Sequence, residues 1–506
     1  MSVFQPLQAV SRAVGRYRDA LTDPARADRA VLISLVVYAA VWAIYGTIAK
    51  GSQGLHYDMA EVIAWSRDLG LGYFKHPPLA AWVAWLWFSA LPVTEWSYYL
   101  LAMTMPAIAL WFVWLVSADY LNLEKRVAGV ALLTLVPFFN FHALKFNVNT
   151  VLIPLWAMTT FWFLRSFETR RGIDALLAGV MAAACMYGKY WSIFLLAGLA
   201  VAALIDARRG VYFRSAAPWI TMAVGAAALA PHLIWLVQHD FVPFSYAMSI
   251  HGAKPFGNTA IAALGYLGGS LGYIAVPLVI VLVAAWPSRA MLADMIWPRE
   301  PKRRLAAASF WGPFLLPIAG ALASGIEITS LWSMPAWTLL PVLLLSPDTV
   351  TLRATDTRRI LMAAVAVPLA MLIVAPAIAV IVHRSGPPPA AAQGRLLAMQ
   401  IEQMWHQQTP LPLHFVGGDP EIVYSVVAYA YDKPRALPGL PAHDPKELAK
   451  AGMALVCFAE DANCAGAARA QAPPDSPVIS SEIWRPYLGM PGKPQRYAIV
   501  IVPPRP

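Results

Sequence analysis

Residues 31–49, VLISLVVYAAVWAIYGTIA, run without a charge, and residues 51–82 follow as GSQGLHYDMAEVIAWSRDLGLGYFKHPPLAAW. An uncharged apolar run of that length can cross a bilayer as one helix. The acids, lysine and histidines behind it then stand at its far end. The 30 residues in front are polar and basic, with Arg12, Arg16, Arg18, Arg26 and Arg29. A cleavable signal peptide would start its apolar core sooner and end on small residues. The expectation is an uncleaved first span with its N-terminal segment, 1–30, in the cytoplasm.

Composition agrees. Of 506 residues, 59% are hydrophobic and 13% charged, with 38 Lys and Arg against 28 Asp and Glu. A soluble domain is roughly a quarter charged, so an ordinary soluble enzyme, a disordered chain and a disulfide-dense scaffold are excluded. Further apolar stretches lie at 97–118, 127–142, 147–164, 174–187, 190–205, 215–237, 260–286, 306–323, 332–346 and 359–382. With the first, they predict eleven spans. The stretch 79–91 is 13 residues long and bracketed by Pro77, Pro78 and Pro92; it fits a re-entrant or interfacial helix better than a crossing. On this count the cytoplasmic segments hold 21 Lys and Arg and the opposite loops hold 6, as the positive-inside rule requires. Counting 79–91 as a crossing would invert every later loop.

The tail, 384–506, opens with a Pro/Ala linker, Gly386 to Ala392, and then reads as a small mixed α/β domain. Leu397 to His406 predicts a helix; Leu411 to Val416, Leu455 to Phe458 and Arg496 to Val502 predict strands. Eleven spans place it outside, where an oxidising compartment permits a disulfide between Cys457 and Cys464; two unrelated thiols are the alternative. Cys185 falls within a span and reads as packing.

The unusual residues gather on the predicted outer side. Asp58, Glu61, Trp65 and Asp68 are spaced for one face of a short helix at the membrane surface. Lys75 and His76 precede Pro77 and Pro78, a rigid basic turn able to hold a cation where a lipid phosphate lies. His142, Lys145, Asn147 and Asn149 cluster between two spans. Lys189 stands at a span end, with headgroup snorkelling as its plain alternative. The loop 238–259 adds His239, Asp240, Tyr246, His251 and Lys254, either an interfacial belt or a sugar platform. Glu327 is a binder or a solvated loop residue. Span interiors are nearly uncharged, whereas a transporter more often carries ionisable groups at mid-membrane. Chemistry or binding at the outer surface, on a lipid-borne reactant, is favoured.

His56-Tyr57-Asp58-Met59-Ala60-Glu61, followed by Gly72-Tyr73-Phe74-Lys75-His76-Pro77-Pro78, resembles the first-loop signature of the protein O-mannosyltransferase and aminoarabinose lipid A transferase superfamily, in its bacterial, ArnT-like branch. The likeness covers about 30–385. It implies an all-α polytopic membrane domain of the C-type glycosyltransferase fold, 31–383, with about 11–13 spans and a first loop at 50–95, and a small α/β domain at 384–506. It also implies transfer of a sugar from a polyprenyl-phosphate donor at the periplasmic face of a bacterial inner membrane, with inversion. The acceptor would be lipid A, a core sugar or a related glycolipid; a protein acceptor, a lipid-linked sugar transporter or a noncatalytic assembly protein are the alternatives.

Relatives often carry adjacent Asp-Glu in this loop, whereas Met59 follows Asp58 here. That departure leaves open which carboxylate is the base; alignment with the family's loop acid favours Asp58, with Glu61 as support or sugar ligand. Lys75, His76, Lys145 and Lys189 would meet the donor phosphate, and Tyr57, Tyr246, His251, Lys254 and Glu327 are sugar or acceptor contacts. No nucleotide motif is present. The motifs imply no particular cofactor, and a divalent ion bridging Asp58 or Glu61 to phosphate is an option that the spacing does not decide. Partners would be the donor, membrane lipids and the acceptor, without nucleic acid, and the chain would act as a monomer.

Overall fold

A computed structural model describes residues 4–252, 254–385, 393–437, 445–473 and 476–504. The expected linker Gly386 to Ala392 lies outside the described residues. Among the described residues five helices are long and apolar enough to cross a membrane: Ala27–Ala49, Glu95–Ser117, Ala217–Gln238, Pro301–Ser324 and Ala354–Ser385. Val148–Thr169 is as long, and Gly172–Gly188 and Ile193–Ile205 are shorter apolar helices packed beside it.

Several expected spans are interrupted, each for a local reason. The stretch 127–142 is a helix only to Thr134, the helix Leu123–Thr134. Pro137 has no N–H to continue it, and the buried Asn140 amide donates to the Thr134 carbonyl (2.9 Å). The stretch 260–286 is two helices, Phe256–Tyr273 and Ala275–Ala285, bent by 59°; Pro277 cannot bond back to the Tyr273 carbonyl. The stretch 332–346 is a 3₁₀ helix, Ser330–Leu339, running into Leu340–Leu345. The stretch 79–91 forms the 12-residue helix Leu79–Ala90, too short to cross. The basic N-terminal segment contains a helix, Phe4–Thr22, tied down by Tyr17 donating to Ser34 (2.7 Å) and by Arg18 on Glu124.

The tail folds around a five-stranded mixed sheet. Its strands are β1 (Phe415–Gly418), β2 (Arg435–Leu437), β3 (Met453–Phe458), β4 (Val478–Ile483) and β5 (Gln495–Val502), in the order β2-β1-β3-β5-β4. β1 pairs in parallel with β2 and β3, and β5 runs antiparallel to β3 and β4. β2 and β4 escape the sequence reading, because β2 has three residues and β4 is mostly exposed, so neither carries a long apolar pattern. Cys457 and Cys464 form a disulfide that ties β3 to the helix Ala462–Gln471. Cys185 is buried and free.

The tail reaches back to the first loop. The helix Pro420–Tyr429 covers the helix Tyr57–Ser66. The Arg67 guanidinium donates to the carbonyls of Val427 and Ala428, two of the orphan acceptors at the end of Pro420–Tyr429. The Tyr429 hydroxyl accepts from the Leu55 N–H (2.9 Å) and donates to Glu95 (3.1 Å), and Arg395 pairs with Glu95 (2.7 Å). The expected surface helix is therefore buried from Met59 through Ser66. Arg67→Met strips both carbonyls of their donor, at a cost of about 1–3 kcal/mol. Hydrogen exchange should then quicken in 420–429 and in 57–66 together, and leave the β3–β5 ladder unchanged.

Candidate functional site

The helix Tyr57–Ser66 carries both candidate acids, and four contacts fix it. The His56 ring caps it, Nδ1 accepting from the Asp58 N–H (3.2 Å). The Tyr98 hydroxyl donates to the Met59 carbonyl (2.9 Å). The Tyr73 hydroxyl donates to the Trp65 carbonyl (2.9 Å), and its ring stacks on Trp65 at 4.9 Å. The helix stops at Ser66, so Asp68 lies beyond it and off the face that Asp58 and Glu61 share; its nearest cation is Arg435, at 4.0 Å.

Each acid meets an ammonium from a different element. Asp58 is 3.2 Å from Lys145 Nζ and accepts from the Asn147 amide (2.8 Å). The Asn147 amide is oriented by its other end, where Oδ1 caps the helix Val148–Thr169 through the N–H groups of Asn149 and Thr150. Burial alone would raise the Asp58 carboxyl, but Lys145, the Asn147 hydrogen bond and His56 together hold it below the usual range. Its place in the first helical turn adds a favourable dipole.

Glu61 is buried more deeply. Lys75 Nζ donates to it at 2.6 Å and to the Tyr57 hydroxyl at 3.0 Å, and that hydroxyl lies 3.3 Å from Glu61. Lys75 sits among the rings of Phe74, Tyr57 and Tyr246, 5.0–5.6 Å from their centroids, a cation–π enclosure. Burial pushes the Glu61 carboxyl up to about 7, against the lowering by Lys75. Two acids one turn apart thus have separated proton affinities, the usual mark of divided acid–base roles.

Lys189 follows the helix Gly172–Gly188. It donates to the Asn149 side chain (2.8 Å) and lies 4.8 Å from the Trp332 ring. Among the described residues no carboxylate lies within ion-pair distance of it. Burial pushes it down to about 8, with Asp58 opposing.

Asp58, Glu61, Lys75 and Lys189 face one cavity of about 630 Å³, and Lys145 reaches it through Asp58. Its polar wall is Tyr57, Asp58, Glu61, Lys75, Asn147 and Asn149; its apolar wall comes from Ile193, Phe194, Pro317, Gly320 and Ala321. Lys189, Trp191 and Trp332 stand where the walls meet. Tyr246 and His251 also line it. Lys254 and Glu327 are not on the lining; their backbone N–H groups bond to Gly325 and His251 and close the loop behind it. His142 is turned away, packed on Phe138 and Tyr273.

The basic turn brings both Lys75 and His76 to the cavity. His76 lines the cavity, but burial, reinforced by Lys189 and Lys75, pushes it down to about 3. At neutral pH it is a neutral donor or acceptor. Tyr190, Trp191 and Trp332 also line the cavity, and Tyr424 of the tail packs on Tyr57 at 5.6 Å; none was foreseen as a site residue. Single aromatics in a chain with 20 Trp and 19 Tyr carry no signal of their own.

The rim of the first loop is tightly fitted. The Leu71 carbonyl is 2.6 Å from His232 Nδ1, and the Tyr190 hydroxyl is 3.0 Å from Nε2. A Cβ on Gly72 would meet the Trp235 ring at 2.3 Å, so any larger residue there would have to displace that ring.

The two carboxylates that could bridge an ion to a phosphate are each engaged by an ammonium. Among the described residues no group of three His, Cys, Asp or Glu stands together as a ligand set.

A comparison of whole structures decides the fold. The chain superposes on ArnT from Cupriavidus metallidurans, in the form bound to undecaprenyl phosphate, with a TM-score of 0.59 at 14% identity, covering 94% of this chain and 99% of that one. The chain has the ArnT fold. The apo form of the same protein gives a TM-score of 0.58. Residues 75–235 of this ArnT-fold chain match the dolichyl-phosphate-mannose-protein mannosyltransferase family. Two relatives from Rhizobium johnstonii are also similar. The lipid A galacturonosyltransferase RgtD is 24% identical over 57% of this chain, and the lipopolysaccharide core galacturonosyltransferase RgtB is 25% identical over 64% of it. The matched stretches span 60% and 66% of those two relatives.

Titration should expose Glu61. A carboxyl raised from 4.5 to about 7 favours the folded state most below about pH 4.5, and that contribution is lost as the pH rises through about 7. The unfolding temperature of the native protein should fall over that interval relative to Glu61→Gln, and the infrared band of a protonated carboxyl should disappear near pH 7 in the native protein only.

Proposed function

We propose that this protein transfers a sugar from a polyprenyl-phosphate donor to lipid A or a lipopolysaccharide core sugar, at the periplasmic face of a bacterial inner membrane. The observation that carries the reading is the two-walled cavity. Ionised Asp58 and the Glu61–Lys75 pair stand on one side, an apolar wall on the other, and Lys189 stands between them without a carboxylate partner among the described residues. The names of the two Rhizobium relatives and the lipid bound to ArnT support the acceptor and donor classes. They also make a uronic acid the favoured sugar.

In this reading the prenyl chain lies along Ile193, Phe194, Pro317 and Ala321, and its phosphate meets Lys189. That ammonium needs an anion to offset its burial, and the phosphate gains charge as the glycosidic bond breaks. A preorganised cation there lowers the barrier. Asp58 accepts the proton of the attacking acceptor hydroxyl from the face opposite the departing phosphate, which inverts the anomeric centre. Its low proton affinity keeps it ionised and ready, at some loss of basicity. Lys75, held by Glu61 and Tyr57, is placed to add a second charge to the phosphate or to hold the sugar on the rings of Tyr57 and Tyr246. A divalent ion between a carboxylate and the phosphate is an additional proposal that no step here uses.

Asp58→Asn should cut transfer about 10²–10⁴-fold while the protein stays folded, and Lys189→Met should cut it about 10²–10³-fold. The assay is release of free prenyl phosphate from a prenyl-phosphate sugar by purified protein, with the glycolipid product weighed by mass spectrometry. Full turnover by Asp58→Asn refutes the base. Movement of the donor across vesicles without its cleavage refutes a transferase and supports a transporter. The family match raises a protein acceptor as the second reading, which predicts sugar on protein and none on glycolipid.

A further inference from the structure

The loop between β4 and β5, Trp484 to Pro494, serves no part of the cavity. It is a hairpin whose tip is closed by reciprocal hydrogen bonds of Tyr487 and Met490 (3.0 Å each). Both central residues have positive φ, Leu488 at 48° and Gly489 at 77°. Such turns favour Asn or Gly, and a leucine there is strained. The strain holds a leucine at the tip with 74% of its surface exposed, beside Trp484 at 53%.

Two membrane helices mark the height of this hairpin. The uncharged run 360–382 of the helix Ala354–Ser385 gives way to His383 and Arg384. His383 Nε2 is 3.2 Å from the Pro491 carbonyl, its ring lies 5.7 Å from Tyr487, and Arg384 Nε donates to Met490 Sδ (3.2 Å). The run 31–49 gives way to Lys50 and Gly51, and Arg485 donates to the Gly51 carbonyl (2.9 Å). Contact with the ends of two apolar runs puts the hairpin at the headgroup layer. Residues 49–54, 383–385 and 484–494 contain Lys50, His383, Arg384, Arg485 and Lys493 and no acid.

We propose that this hairpin is a membrane contact. Leu488 and Trp484 enter the interface of the bilayer that the helices span, and the basic residues around them lie against anionic lipid headgroups. The tail domain thereby has a second support besides the Pro420–Tyr429 helix. The proposal stands whatever reaction the cavity performs.

The test uses the full chain with Cys185→Ala, carrying either Leu488→Cys or Val478→Cys, labelled with an environment-sensitive fluorophore in nanodiscs. Val478 is 51% exposed and begins the same strand, β4, whose other end leads into the hairpin. Lipids with a shallow nitroxide quencher should remove most of the emission at position 488 and leave position 478 bright. Equal brightness at both positions overturns the proposal. Nanodiscs of phosphatidylglycerol should give deeper quenching at 488 than phosphatidylcholine, and the difference should shrink in high salt. Equal quenching in both lipids overturns the anionic assignment.

Discussion

The site depends on two carboxylates, Glu61 buried and Asp58 partly so, that cannot be left alone. They lie one turn apart on a helix buried from Met59 through Ser66, and an unpaired charge at Glu61 would be costly. Lys145 comes to one from the turn before Val148–Thr169, and Lys75 comes to the other from the turn before Leu79–Ala90. Packing, capping and loop geometry all serve to bring those two ammonium groups in. Asn147 shows the economy of the arrangement, since one amide caps a helix with its oxygen and steadies Asp58 with its nitrogen.

The environments then separate the two acids. Asp58 keeps some exposure, with a strong donor on each side, and stays ionised; Glu61 is sealed under Tyr57 and the tail and holds its proton more readily. Lys189 completes the set as a cation with an amide and an indole for company. Two acids are thus each held by an ammonium, and Lys189 has no carboxylate partner among the described residues; the proposed lipid-linked anion would supply its countercharge.

Much of this could be read before any coordinates. Periodicity and charge asymmetry marked the helical stretches, and charges beside apolar runs, which are rare and conspicuous, singled out Asp58, Glu61, Lys75, Lys145 and Lys189, which the fold brings together. What escaped was set by tertiary contact. The breaks at Thr134 and Ile274 need Asn140 and Pro277 weighed against strong apolar runs. The lowered proton affinity of His76 follows from its burial and from Lys189 and Lys75 beside it. The cover over Glu61 comes from Tyr424, some 360 positions away, and no local pattern links the two. A three-residue strand such as β2 is recognisable only by its partners.

The cover over the acid-bearing helix also bears on biosynthesis. The helix is complete once Ser66 has been made, yet the segment that encloses it, 420–429, leaves the ribosome only when most of the remaining chain has been inserted. Until then the contacts that 420–429 makes with the first loop, through Arg67 and Leu55, are missing. Burial of the acid-bearing helix under the tail is thus a late step of assembly.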